Sequence, residues 1–329
     1  MKLIASFFVV TLHFPFPNLF GQIFFAAARF AVPFFFMISG YFYAKSDKAA
    51  QYHSTKSRIR HLALLLLVSE LLSFFIRLVA KYDFQYSFFH NIANVFTIFI
   101  DLYEPWKVIS FTPLFNHTAW FLVQLIVVYL LYAGFTKLSI LPRIKYWALT
   151  AFVLGFCAVR ICALIHIALP PYSDYFILFM GFPFFSLGYF MKERKFTPNL
   201  MKNPVVCFVL LLVSIGLSYW ESVLFPTADV YLGNILTNVI LIILFEHDPG
   251  ISPENWFVKM ASYLGNHLSL YIYILHQFVG IILQKIMTAV PIIPFYGSVK
   301  PIVVFVVTSI ISMAAFQINR TVSKRLCKR

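Results

Sequence analysis

The sequence predicts an all-α fold, a polytopic membrane bundle of about ten transmembrane helices, and three observations carry that prediction. The chain has 329 residues, of which 61% are hydrophobic, and its mean hydropathy is +0.83, well beyond the range of a soluble domain. Only 12% of its residues are charged. Those charges are also unevenly placed. Lys and Arg gather at 45–60, 137–145, 192–202 and 320–329, each flanking an apolar stretch, which is the positive-inside pattern. Residues 1–329 therefore read as a single integral-membrane domain.

Ten apolar segments follow one another, over 2–13, 22–44, 60–80, 117–136, 146–166, 174–191, 204–220, 231–246, 263–284 and 300–319. In the first, Lys2 and His13 bracket Leu-Ile-Ala-Ser-Phe-Phe-Val-Val-Thr-Leu, and Phe14-Pro15-Phe16-Pro17-Asn18 turns the chain. The segment is short for a crossing. Either tilt and local thinning accommodate it, or residues precede Met1 in the natural protein. Met1-Lys2, the apolar run and Ala26-Ala27-Ala28 share elements of a cleavable signal peptide. The two prolines interrupt that pattern, and residues 29–40 continue directly into another span, so the segment is read as retained.

Placing 45–60 in the cytoplasm fixes the rest by alternation. The segments 137–145, 192–203, 247–259 and 320–329 and both termini then fall inside, with most of the 26 basic residues. The outer segments 167–173 and 221–230 contain neither Lys nor Arg. The longer outer connection, 81–116, holds an apolar stretch at 88–102 with Asp101, Glu104 and Trp106 at its end. It reads as a short helix, interfacial ahead of re-entrant.

These features exclude several classes. A net charge of +14 could suit nucleic acid, but no soluble domain presents a basic face. Cys157, Cys162, Cys207 and Cys327 lack ligand spacing, so neither a disulfide nor a metal site is expected. The Asn116-His117-Thr118 sequon is a weak signal for glycosylation. Glycine-rich phosphate loops, nucleophile elbows and HExxH motifs are absent. Any chemistry must be built from histidine, arginine and helix ends inside the membrane.

His13 is the first such candidate. At about 1.5 Å per residue, a helix from Lys2 carries it about 16 Å inward, near the middle of a layer about 30 Å thick. An ionisable side chain at that depth is costly to keep, so it reads as functional. Arg29 stands a third of the way along the second span. Two readings are open for it: snorkelling to the headgroups, or a fixed cation aimed into the bundle. Pro33 is expected to kink the helix just below Arg29, and Ser39-Gly40 to allow close helix packing. Lys56-Ser57-Arg58-Ile59-Arg60-His61 sets topology and headgroup attraction, or forms a phosphate clamp. Trp120 fits an interfacial belt. His276, deep in the apolar helix that begins Leu264-Gly265-Asn266-His267, is either a satisfied structural histidine or a site member. Mutual pairing is the plain expectation for Glu70, Arg77 and Arg160.

At these residues the chain resembles the integral-membrane acyltransferase 3 family of bacterial cell-surface O-acetylases. The likeness runs over nearly the whole length. It rests on the Lys2-x10-His13 spacing and on Arg29-Phe30-Ala31-Val32-Pro33-Phe34-Phe35-Phe36-Met37-Ile38-Ser39-Gly40-Tyr41. Trp120-Phe121-Leu122 and Ser269-Leu270-Tyr271-Ile272-Tyr273-Ile274-Leu275-His276 follow in order. The resemblance implies a bundle of about ten helices that moves an acyl group, usually acetyl from cytoplasmic acetyl-CoA, to a sugar hydroxyl on the outer side. Lys2 and His13 match the family's basic-x10-His motif, which makes His13 the catalytic histidine. Arg58 and His61 fall on its Arg-x-x-Arg motif at the CoA side, with His in place of the second Arg. His117 stands one residue farther from its Trp than is usual.

Together these readings predict His13 as general base and Arg29 as the cation facing the oxyanion. Lys2, Arg58, Arg60 and His61 would hold the CoA phosphates, while Ser39, Trp120 and His276 support the site. No metal or permanently bound cofactor is expected. The predicted location is a bacterial inner or plasma membrane, and the partners are the acyl donor, a glycan or sugar acceptor and lipid. A secondary transporter or flippase for a glycan or lipid-linked sugar stays open on physics alone, as does a sensing module without chemistry.

Overall fold

Hydrocarbon offers the backbone no hydrogen bonds, so a spanning chain satisfies its own amides and carbonyls as helix. The computed structural model describes residues 1–44, 48–80, 85–101, 112–167, 179–194, 201, 203–226, 228–246, 255–289 and 296–326. Among them are twelve α-helices, one 3-10 turn and no strand. In order they are α1 Lys2–His13, α2 Asn18–Ala28, α3 Ala31–Tyr43, α4 Lys48–Ala80, α5 Phe88–Asp101 and α6 Trp120–Lys137. Then come α7 Leu141–Leu164, α8 Gly181–Arg194, α9 Pro204–Leu224, α10 Leu232–Glu246, α11 Trp256–Ala289 and α12 Tyr296–Leu326.

Among the described residues seven stretches are long and apolar enough to cross a membrane: Asn18–Tyr43, Gln51–Val79, His117–Lys137, Leu141–Leu164, Pro204–Leu224, Trp256–Met287 and Gly297–Thr321. Lys2–His13 and Leu232–Glu246 are apolar but shorter. Of the expected span 174–191, only the part from Phe179 lies within the described residues, and it forms α8. Each expected span thus meets a helix, and among the described residues seven have the length of a full crossing. The short helix α5 stands where one was expected; Glu104 and Trp106 lie outside the described residues.

The chain divides into two compact units, residues 1–35 with 195–329, and residues 36–194. In the first, α1 runs parallel to α11. Lys2 Nζ donates to Asn266 Oδ1 at 3.1 Å, and eleven residues on, the His13 ring lies 5.0 Å from that of His276. Phe14 covers Gly280, where an added Cβ would overlap its ring. Between these points Val10, Phe14, Leu268, Ile272 and Val304 form a shared core. Helix α12 runs antiparallel to α11, with His267 and Phe316 rings 4.9 Å apart and Lys300 Nζ donating to Gln284 Oε1 at 2.9 Å. Helices α9 and α10 are joined by a polar seam: Ser214 with Thr237 at 2.8 Å, Asn234 Nδ2 to Ser218 Oγ at 3.0 Å, and the Gly233 amide to Glu221 at 3.2 Å.

In the second unit α4 and α6 are antiparallel. Glu70 accepts the Phe115 and Asn116 amides, each at 2.8 Å, and Asn116 Nδ2 donates to Ser69 Oγ at 2.7 Å. This clamp seats the turn His117–Ala119 that opens α6. Glu70 therefore serves loop amides, and Arg160 folds back on its own helix, its Nη1 donating to the Phe156 carbonyl at 3.2 Å. Glu70 also interacts electrostatically with Arg77, as the expected pairing requires, whereas the Arg160 contact with Phe156 stays within its own helix. Asn116 is buried and engaged, which closes the sequon to glycosylation. Helices α3 and α8 touch backbone to backbone. A Cβ on Gly40 would overlap the Phe185 carbonyl, and one on Gly188 the Met37 carbonyl, so only glycine permits this approach in a bundle held by close packing.

Candidate active site

Helix α1 ends at His13 because Pro15 and Pro17 cannot continue it. Phe14 still donates its amide to the Val10 carbonyl at 2.9 Å, so the last turn is closed and His13 is carried at a fixed angle. His13 is the accessible member of the histidine pair and His276 the enclosed one, at 0% exposure near the middle of α11. Nδ1 of His276 lies 2.7 Å from the Tyr273 carbonyl and 3.1 Å from that of Ile272. The two histidines that the sequence singled out from opposite ends of the chain are thus neighbours.

Span two is broken. Helix α2 stops at Ala28, Arg29 and Phe30 form a turn, and α3 begins at Ala31. The expected kink at Pro33 lies one turn earlier, because Pro33 sits within the first turn of α3, where a missing amide is tolerated. That proline supplies no N–H for the carbonyl four residues back, which is Arg29's own. Asn234 Nδ2 closes the end of α2 by donating to the carbonyls of Ala26 at 3.1 Å and Ala27 at 3.3 Å.

Arg29 faces protein. Its guanidinium is paired with Asp229, at side-chain exposures of 13% and 25%, and lies over the rings of Phe25 at 5.0 Å and Tyr231 at 5.5 Å. Snorkelling is thereby set aside in favour of a fixed internal cation. The Phe8 and Phe30 rings meet at 5.0 Å, which sets the turn beside α1 more than one helical turn before His13.

Lys2, His13, Arg29 and His276 belong to the first unit; Ser39, Arg58, Arg60, His61 and Trp120 belong to the second. There, Arg58 Nη1 donates to Tyr129 Oη at 3.2 Å and Nη2 to the Phe42 carbonyl at 3.3 Å, and Ser39 bonds the same tyrosine hydroxyl. Arg60 and His61 are exposed on α4. Two residues are 200° apart on a helix, so Arg58 turns toward α6 while Arg60 does not share its face. His61 is one turn from Arg58 and does. Trp120 is half-buried, its ring 6.4 Å from Phe36.

Asp229, Asn234 and Tyr129 were not anticipated. A signal existed for the first: Asp229 is an acid in an outer segment free of Lys and Arg, facing a chain with a membrane arginine. Asn234 and Tyr129 are polar groups inside apolar spans, the type of residue that caps a broken helix or anchors an arginine.

Across residues 1–318 the chain matches the acyltransferase 3 family, described as an acyltransferase domain. The chain belongs to the acyltransferase 3 family. No curated protein and no solved structure matches it. Membership favours one of the readings left open by physics: this acyltransferase of the membrane is an enzyme. The residues that carried the resemblance, Lys2 to His13 and Arg29 to Tyr41, lie inside the matched region, as do Trp120 and His276.

Proposed function

We propose that this acyltransferase moves acetyl from cytoplasmic acetyl-CoA to a hydroxyl of a glycan or sugar on the outer side of a bacterial cell membrane. The single observation that carries the reading is His13, an accessible imidazole held beside the enclosed ring of His276. His13 takes the proton of the acceptor hydroxyl as its oxygen attacks the thioester carbonyl. The tetrahedral intermediate collapses, the C–S bond breaks, and the imidazolium returns that proton to the thiolate. The products are an ester and free CoA. Neutral imidazole is the form such a base requires.

Arg29 stabilises the oxyanion. Asp229 holds its guanidinium in one orientation, so the cation needs no reorganisation as charge develops. Position on a broken span supports this role, since discontinuous helices place polar groups at membrane depth. Within the second unit Arg58, set by Tyr129, binds CoA phosphate with His61 one turn on and Arg60 adding charge; in the first unit Lys2 supplies a cation of its own. Ser39 supports the Arg58 anchor through Tyr129, and Trp120 supports the site. The parallel course of α1 and α11, with α12 antiparallel, suits both termini on the cytoplasmic side.

The test is transfer of radiolabel from acetyl-CoA to the surface glycan of cells expressing His13→Ala or Arg29→Ala chains that insert normally. Turnover should fall about 10²–10⁴-fold for His13→Ala and about 10²-fold for Arg29→Ala. Wild-type turnover in His13→Ala would remove it from the mechanism.

A further inference from the structure

His276 is more than a buried ring, given the reading of His13 as base. Its Nδ1 faces two carbonyl oxygens, at 2.7 and 3.1 Å. Carbonyl oxygens only accept, so Nδ1 carries the ring proton and the lone pair resides on Nε2. That nitrogen is enclosed and makes no hydrogen bond to protein. Buried acceptors are rarely left so. The His13 ring is 5.0 Å away, centre to centre, at an interplanar angle of 44°. From there a modest side-chain rotation brings a nitrogen of His13 within hydrogen-bond reach of Nε2.

We infer that His276 is a positioning residue for His13: its Nε2 accepts the N–H of His13 and fixes which His13 nitrogen holds the lone pair. An unrestrained imidazole divides between two tautomers and several ring angles. One tautomer presents the base to the acceptor hydroxyl; the other presents an N–H. Fixing the tautomer through the second ring nitrogen is the general way an active-site histidine is aimed. His276 gives up no proton. When His13 becomes imidazolium, the lone pair of His276 still accepts the same N–H.

One neighbour could compete. Thr308 and Ser312 on α12 are fully buried, and their hydroxyls have no protein partner. Neither makes the bond to the carbonyl four residues back that Ser309 makes to Phe305 at 2.7 Å. The contacts His267–Phe316 and Lys300–Gln284 set a register that places Thr308 opposite His276. A threonine hydroxyl there could donate to Nε2 in place of His13.

The experiment uses the full chain in inverted membrane vesicles with radiolabelled acetyl-CoA and the endogenous glycan, reading turnover per inserted protein and KM. His276→Asn keeps an N–H near the place of Nδ1, for the two carbonyls, but has no atom at Nε2. His276→Gln can present an acceptor oxygen near Nε2. The expected result is turnover within about threefold of wild type for Gln and about 10²-fold lower for Asn, at unchanged KM. Thr308→Val should be active. Full turnover in Asn, equal loss in both amides, or a Thr308→Val loss matching that of Asn would each overturn the inference. His13→Ala is run beside them. Wild-type turnover there defeats the base itself, whereas its loss beside an active His276→Asn defeats only the positioning role.

Discussion

Arg29 and Asp229 are 200 positions apart in the chain and meet as an ion pair within the bundle. Taking a cation and an anion from water is costly, and their attraction repays it only when geometry and further contacts are good. Here the Phe25 and Tyr231 rings add cation–π contact. Removing one partner leaves an uncompensated charge. Asp229→Asn is expected to destabilise the detergent-solubilised protein by roughly 2–3 kcal/mol, below a fully enclosed pair because Asp229 is partly exposed. A clear drop in Tm checks this. Its turnover should fall less than that of Arg29→Ala, since the cation remains while its aim loosens. Equal losses in the two variants would mean that Asp229 acts in the reaction itself. At this scale His13 and His276 were both legible as polar groups in apolar runs. That they stand side by side was not, because nothing local relates position 13 to position 276.

Among the elements, span two shows how a membrane helix is broken while carbonyls at its end are closed from another helix. Arg29 and Phe30 interrupt it, Pro33 enters the first turn after the break, and Asn234 closes the carbonyls of Ala26 and Ala27. The sequence pointed to the proline and hence one turn too far along; the partner that permits the break lies on α10. Glycine divides in a similar way. At Gly40 and Gly188 a side chain would overlap backbone of the facing helix, whereas at Gly134 and Gly216 an added Cβ meets nothing within 4 Å. Gly188→Ala should therefore destabilise by about 1–3 kcal/mol through overpacking. Gly134→Ala and Gly216→Ala should be neutral or stabilising by up to about 1 kcal/mol, as expected at open helix positions. Thermal melts of the three variants in one detergent check both signs. The Ser39-Gly40 pair was expected to allow close packing, and Gly40 does so, while Ser39 is drawn into the Tyr129–Arg58 network.

For the whole molecule, the direction of helices is the readable quantity. Parallel α1 and α11 require an odd number of crossings between them, and antiparallel α12 returns the chain to the side where α1 began. Single cysteines placed near Lys2 and near Arg320, in a chain stripped of its native cysteines, should both react with an impermeant thiol reagent from the cytoplasmic face only. Labelling from opposite faces would end the proposed topology. Composition and basic clustering by themselves determined an all-helical membrane protein and where most of its helices fall. They could do so because the bilayer acts on each segment alone, by length and hydropathy. The tertiary structure decided the rest: His13 beside His276, Arg29 on Asp229, Arg58 turned to Tyr129 while Arg60 faces elsewhere. Those pairings depend on packing between segments far apart in the chain, and packing leaves no periodic mark in a single sequence.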